Sequence, residues 1–335
     1  GFLYSAPNLM GQGARAWTQE HLPAIFPQKT INLGLDLRGG AHLLLEVDLD
    51  VVIEERLDDL VDSIRPDLRE AKLGYKRLKA QDDGVIVTLR DEEDADAIKR
   101  IIRNIDRELT LTQEDGNIKA SFSDEKIKEI ADLTMSQSIE IIRRRIDETG
   151  TKEPAIQRQG EKRILVQLPG LDDPSEIKAL IGTTAKLTFH LVDRSGGGEG
   201  GGMMTLPVAD EPGRSLSIQR RAMLTGDMLV NAQYAPDQNG QAAVSFKFNA
   251  LGAKRFCDLS RENVNQLFAI VLDKEIISAP VIREPICGGQ GQISGSYSVK
   301  EASDLGLLLR AGALPAPLEI MEERTVGPSL GADSV

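Results

Sequence analysis

The sequence predicts a layered α+β fold, and three observations carry that expectation. With residues 51–122 set aside, the hydrophobic period switches between 42 and 192 in the order strand, helix, strand, strand, helix, strand. Residues 51–122 hold a helix–hairpin–helix–hairpin pattern of their own. Composition then breaks at "SGGGEGGGM" (Ser195 to Met203), a flexible linker or loop by composition.

The first strand comes from "INLGLDLRGGAHLLLEVDLD", extended structure interrupted by glycines, with one acid, Asp36, and one base, Arg38. "VVIEERLDDLVDSIRPDLREA" places Val52, Leu57, Leu60, Val61 and Ile64 at helical spacing and is expected to bend or end near Pro66. Two hairpins follow, turning on Asp82–Asp83–Gly84 and on Asp115–Gly116, with a helix between them whose acids precede its bases as the helix dipole favours. The longest helix signal runs from Ser123 to Gly150; Ser123 or Asp124 can cap it and Gly150 can end it. "PAIQRQGEKRILVQLPG" reads as a hairpin through Gly160–Glu161, "DDPSEIKALIG" as a short helix, and "TAKLTFHLVD" as a strand. That strand puts Leu187, Phe189 and Leu191 on one face, and Lys186, Thr188 and His190 on the other, so His190 is expected at the surface.

Beyond the glycine run, a strand–helix pair spans "QAAVSFKFNALGAKRFCDLSREN", and "QLFAIVLDKEIISAPVI" forms a hairpin turning on Asp273–Lys274. A helix and a strand close the chain in "SVKEASDLGLLLRAGAL" and "APLEIMEERTVG". The strand–helix order is the β-α-β-β-α-β pattern of a ferredoxin-like fold. The expected organisation is a lead-in at 1–30, a base at 31–50, 123–193 and 298–335, an inserted α/β module at 51–122, and a small inserted α+β unit at 194–297.

Of 335 residues 41% are hydrophobic, enough for several cores, and the net charge of −12 argues against nucleic-acid binding, which rests on Lys and Arg. Three histidines are too few for a His-rich metal site, and no metal or other cofactor is expected. Cys257 and Cys287 permit one bridge in an oxidising compartment, or stand as two thiols. No run of about 18 apolar residues spans a bilayer. "GFLYSAPNLM" fits a membrane-interface exit or a frayed terminus.

Tempting chemistry does not hold together. "GPSLG" matches the G-x-S-x-G elbow, but that motif needs a downstream acid and histidine; every histidine lies upstream of Ser329. The glycine clusters lack the strand–loop–helix arrangement of phosphate cradles. "RRRID" (Arg143 to Asp147) reads as a solvated, dipole-matched helix end, and the acids at 91–96 and 172–173 as helix starts. No catalytic constellation emerges; a docking ectodomain and a hydrolase stay open on these residues alone.

Several stretches in fixed order add more: "NLGLDLRGGAHLLLEVD", "RRRIDETGTKEPAIQRQGEKRILVQLPGL", "LTGDML", "GAKRFCDLS", "LDKEIISAPVIREPI" and "GQISGSYSVKEASDLGLLLRAGALPAPLEIMEERTVGPSLG". Together they resemble the large periplasmic region of the SecD family, from about residue 31 to 333. The resemblance implies a protein-translocation factor of the resistance-nodulation-division superfamily, not an enzyme. Its setting would be the bacterial inner membrane, with this region in the periplasm, anchored by membrane segments outside this chain. It implies SecF, the Sec channel complex and unfolded preprotein as partners, and a head (about 194–297) that moves on a base. The ectodomain of another proton-driven exporter is the nearer alternative. In this frame Gly34, Gly39 and Gly40 permit a tight joint between membrane helix and base, and Asp36 and Arg38 either pair structurally or transmit motion. Glycine and serine at Ser195, Gly196, Gly197, Gly295 and Ser296 are hinge candidates. Val244, Phe246, Phe248, Ile276, Ile277, Val281 and Ile282 either bind polypeptide or fill the head's own core.

Overall fold

The computed structural model describes residues 40–151, 154–171, 173–193, 202–209 and 211–326. In β1 (Gly40–Val47) the alternation sends Ala41, Leu43, Leu45 and Val47 to one buried face. Each large side chain so withdrawn from water contributes roughly 1.5–3 kcal/mol. β6 (Ala155–Gln159) and β7 (Arg163–Pro169) form the expected hairpin, and β17 (Leu318–Val326) closes the sheet in the order β17-β1-β7-β6, every neighbour antiparallel. Glu46 lies opposite Arg163 on β7 and accepts its Nε at 2.9 Å. The apolar face is covered by Ile130, Met135, Ile142 and Ile146 of α3 (Asp124–Glu148) and by Ile177 and Ile181 of α4 (Ser175–Gly182). Ser123 caps α3, its hydroxyl accepting from the Lys126 amide.

Between β1 and α3 lies a separate core. α1 (Leu49–Glu70) passes through Pro66 rather than ending there, because Leu57, Leu60, Val61, Ile64 and Leu68 bury one continuous stripe. It packs with α2 (Ala95–Ile105) on a sheet of β2 (Tyr75–Gln81), β3 (Gly84–Leu89), β4 (Thr110–Glu114) and β5 (Asn117–Ser121), ordered β2-β3-β5-β4.

The third core corrects the strand assignment. β8 (Leu187–Leu191) does not complete the base sheet; β17 holds that place, and β8 pairs with β14 (Phe268–Leu272), Phe189 facing Ile270. The sheet runs β11 (Leu224–Thr225), β8, β14, β15 (Glu275–Ser278). A second sheet runs β12 (Leu229–Pro236), β13 (Ala242–Phe248), β16 (Gln290–Tyr297). Phe189 decides the matter. Its ring centroid lies 5.5 Å from Phe248 and 5.7 Å from both Phe246 and Phe268, so this strand's buried face belongs to an aromatic cluster that the base does not contain. α5 (Ala250–Glu262) packs Phe256 on this cluster, and α6 (Val299–Ala311), opened by a Ser298–Glu301 capping box, lies along β12. A hairpin arm, β9 (Met203–Pro207) with β10 (Ser215–Gln219), covers the other face of β8 and β14 through Ile218, Ala269 and Val271. We call this unit the head.

That arm also corrects the reading of His190, which is 2% exposed. Its Nδ1 lies 2.7 Å from the Gln219 carbonyl and its Nε2 2.9 Å from Thr188 Oγ1, so the donating nitrogen is Nδ1 and the hydroxyl donates to Nε2. Burial holds its pKa below the ordinary 6.5, partly opposed by the Gln219 hydrogen bond. The unfolded chain therefore binds this proton more readily than the fold does. The stabilisation is full above about pH 6.5 and declines as pH falls toward the folded-state value. Urea midpoints measured at falling pH should drop below that point, and His190→Gln should flatten the drop. An unchanged slope in the variant contradicts the assignment.

Candidate functional site

The base and head cores are separate, and the chain passes between them at Thr183–Lys186 and again at 312–317. The two passages touch: the Leu314 amide donates to the Thr184 carbonyl at 2.9 Å. Between them lies a small apolar seam of Leu180, Ala185 and Leu308.

Arg145 is the centre of this seam. α3 places it on the same face as Ile142 and Ile146, three residues after one and next to the other, while Arg143 and Arg144 stay exposed. The side chain is fully buried. Nη1 donates to the carbonyls of Leu180 (2.7 Å), Ile181 (3.4 Å) and Thr183, and Nη2 to those of Thr184 (3.1 Å) and Gly312 (2.9 Å). One guanidinium thus satisfies the carbonyls left open at the end of α4 and holds both passages at once. Nε has no partner. Desolvation presses the pKa down to about 10, with the nearby Asp273 carboxylate opposing, so the group stays cationic at neutral pH. The solvated helix end read from "RRRID" therefore describes Arg143 and Arg144, not Arg145.

Three polar latches flank it. On the β14–β15 turn, Asp273 accepts from the amides of Ala185 (2.9 Å) and Lys186 (2.8 Å), tying the head to the first passage. Asp273, Lys274 and Ala185 all hold positive φ, 49°, 69° and 57°. Lys186 Nζ continues to Glu55 of α1 at 2.7 Å, so the module joins the same seam. Nearby Asp59 has its pKa raised by burial, against the pull of Lys186. Arg310 of α6 grips Glu148 at the end of α3 through two bonds (3.0 and 2.6 Å) and donates to the Ala232 carbonyl of β12 at 2.8 Å. That contact holds Glu148 below the usual carboxylate range. Lys300 of α6 pairs with Glu176 of α4.

The residues singled out from sequence fall elsewhere. Gly34, Asp36, Arg38, Gly39, Ser195, Gly196, Gly197 and Ser329 lie outside the described residues. Gly40 opens β1 at φ 143°, opposite Pro169 and Val326. Gly295 and Ser296 lie inside β16, where the pairing with β13 shifts register, and not at a passage between base and head. Of the seven apolar candidates, Val244, Phe246, Phe248, Ile276 and Ile282 are core: β13 is a central strand whose phenylalanines fill the aromatic cluster, Ile282 joins that cluster, and Ile276 packs under the arm with Ile218 and Val271. Two are left toward solvent: Val281 is 42% exposed, and half-buried Ile277 lines a cleft of about 230 Å³. That cleft lies between the arm (Val208, Arg214, Leu216) and the strands β15 and β16 (Ser278, Ser294). β15 is an edge strand; the arm bridges it at Val208 and Ala209 and packs side chains of β9 and β10 on Ile276. Cys257 and Cys287 are joined as a disulfide, which decides the alternative left open by their spacing. Among the described residues no cluster of His, Cys, Asp and Glu has the makings of a metal site.

The chain matches the "SecDF, P1 head subdomain" over residues 203–316, the N-terminal part of the SecDF P1 domain over 135–194, and the SecD/SecF GG motif over 24–48. It is 47% identical over 315 residues to the protein translocase subunit SecD of Rickettsia bellii, covering 92% of this chain and 61% of that protein. To the SecD of Acetobacter pasteurianus it is 43% identical across all of this chain and 65% of the relative. A solved structure of SecDF, a membrane component that enhances protein export, is 34% identical with a TM-score of 0.50, over 57% of this chain and 93% of that one. A SecDF crystal structure in a super-membrane-facing form aligns over 99% of this chain and 36% of its own length, at 26% identity and TM-score 0.56. This α+β chain, with separate base, module and head cores, is thus similar to one part of a larger translocase subunit. It belongs to the SecD family of protein-translocase subunits, and spans about 61–65% of the length of the curated relatives.

Proposed function

We propose that this chain is the periplasmic portion of a proton-motive-force-driven translocation factor, which binds emerging preprotein in its head and assists late export through the Sec channel beside SecF. The observation that carries the reading is the pairing of the P1-domain matches with two separate cores joined by a seam of buried Arg145, a small apolar contact and surface ion pairs. Units joined by a small, polar interface are expected to move relative to each other. The strand order β17-β1-β7-β6 with two covering helices supports a ferredoxin-like base whose fourth strand comes from the chain's end. The division into base and head then falls at 183–186 and 312–317, with Arg145 as pivot. The disulfide supports an oxidising compartment such as the periplasm. No helix of the described residues is long and apolar enough to cross a membrane. One charge crossing roughly 150 mV supplies about 3–4 kcal/mol. That biases a two-state joint by a factor of several hundred.

For preprotein the accessible candidates are Val281 and Ile277, beside the edge strand β15, where an extended segment can add backbone hydrogen bonds. Photoreactive residues at 277 and 281 in the full-length subunit, with one at Phe246 as a buried control, should crosslink to an arrested precursor from 277 and 281 alone. Absence of crosslinks at both positions overturns the binding assignment.

A further inference from the structure

We propose that the Cys257–Cys287 bridge is an exchangeable disulfide, reduced by a dithiol oxidoreductase of the Cys-x-x-Cys class, with Arg261 as the positioning residue that holds the departing sulfur. The two sulfurs differ in access: Cys287 is exposed on the irregular segment between β15 and β16, whereas Cys257 is half-buried on α5. Arg261 follows Cys257 by one helical turn, and its Nη2 lies 3.4 Å from Cys257 Sγ and 3.9 Å from Cys287 Sγ. Its Nη1 rests on Asp258 Oδ1 at 3.4 Å, which keeps the fork turned along the helix toward the bridge. A cation at this distance stabilises a thiolate and makes it a better leaving group.

The rest of the segment has its own anchors. The Ile286 amide donates to Ser260 Oγ at 2.8 Å, and that buried hydroxyl donates to the Cys257 carbonyl at 3.1 Å. The Phe248 amide donates to the Gly289 carbonyl at 2.8 Å, and Ile282 is bonded through both its amide and its carbonyl, to Gln266 and Asn265. Neither cysteine belongs to the head's apolar core. Opening the bridge therefore leaves the head folded, and the site can cycle.

The exchange balances as follows. The reductant's thiolate attacks the exposed Cys287 Sγ; the S–S bond breaks and its electron pair leaves on Cys257 Sγ, beside Arg261. The reductant's second thiolate then attacks its own sulfur in the mixed disulfide and releases Cys287 as thiolate. Two electrons pass to the bridge, the reductant closes its own disulfide, and both cysteine thiolates take protons from water.

The test uses the full-length subunit, thioredoxin as the dithiol, and alkylation with a mass tag to count thiols. Arg261→Gln should slow reduction about tenfold at neutral pH, move the pH profile of Cys257 alkylation in the reduced protein upward, and lower the equilibrium constant for reduction about tenfold, close to 30 mV for a two-electron couple. Arg261→Lys should restore part of the rate. A thioredoxin lacking its second active-site cysteine should be trapped on Cys287. A wild-type bridge that thioredoxin leaves intact, an Arg261→Gln variant with unchanged rate and potential, trapping on Cys257, or loss of the cooperative melting transition on reduction would each overturn the proposal.

Discussion

Replacing Arg145 with methionine is expected to lower the free energy of unfolding by about 3–5 kcal/mol, a loss usually seen when one partner of a buried charged network is removed. The size follows from what the guanidinium touches. It is fully buried and donates to five carbonyls, of Leu180, Ile181, Thr183, Thr184 and Gly312. Each buried acceptor left without a donor costs about 1–3 kcal/mol. Two terms hold the total below the sum. The cation itself is desolvated with no carboxylate in contact, as its lowered pKa reports, and water can enter beside the exposed ends of the passages. Arg145→Lys should recover less than half, because an ammonium is a single point donor and cannot span both passages. Urea unfolding followed by circular dichroism checks both variants. A loss below about 1 kcal/mol for methionine would mean that the carbonyls find other donors.

Much of the fold was legible from local pattern. The turns on Asp115–Gly116, Gly160–Glu161 and Asp273–Lys274 all join the strands expected of them, and the helices lie where the apolar spacing placed them. What period and turn chemistry report is that a face is buried; they do not say against what. β8 alternates as a base strand would, but its partner is chosen by Phe189, whose neighbours Phe246, Phe248 and Phe268 lie about 57 to 79 residues away. His190 shares the cause: the opposite face of β8 is polar in sequence and is covered by the distant arm, which supplies a carbonyl for the ring. Val244, Phe246 and Phe248 stood out as apolar, but a central strand presents such residues to its own core. Arg145 left a usable signal, since it shares the face of Ile142 and Ile146, yet three consecutive arginines read together hide that one of them points inward. Asp273 carried no signal at all: its role depends on a turn meeting a passage 88 residues earlier.

The second large effect concerns transport. The seam between base and head combines the Arg145 centre, a small apolar contact and exposed ion pairs. Such pairs contribute only about 0–1 kcal/mol each. The proposed function requires this seam to open without unfolding either core. Lys300 and Glu176 are in contact across it, one on α6 and one on α4. Joining their positions by a short bismaleimide between introduced cysteines holds the two helices together without touching Arg145, and the Cys257–Cys287 pair is shielded from the reagent while it stays bridged.

The decisive measurement is proton-motive-force-dependent completion of translocation by membrane vesicles carrying the full-length subunit with both positions linked. The moving-head account predicts that initiation proceeds normally while completion falls to the level of vesicles lacking the subunit, the two single-cysteine controls behaving as wild type. Completion by the linked subunit at the rate of those controls would contradict it.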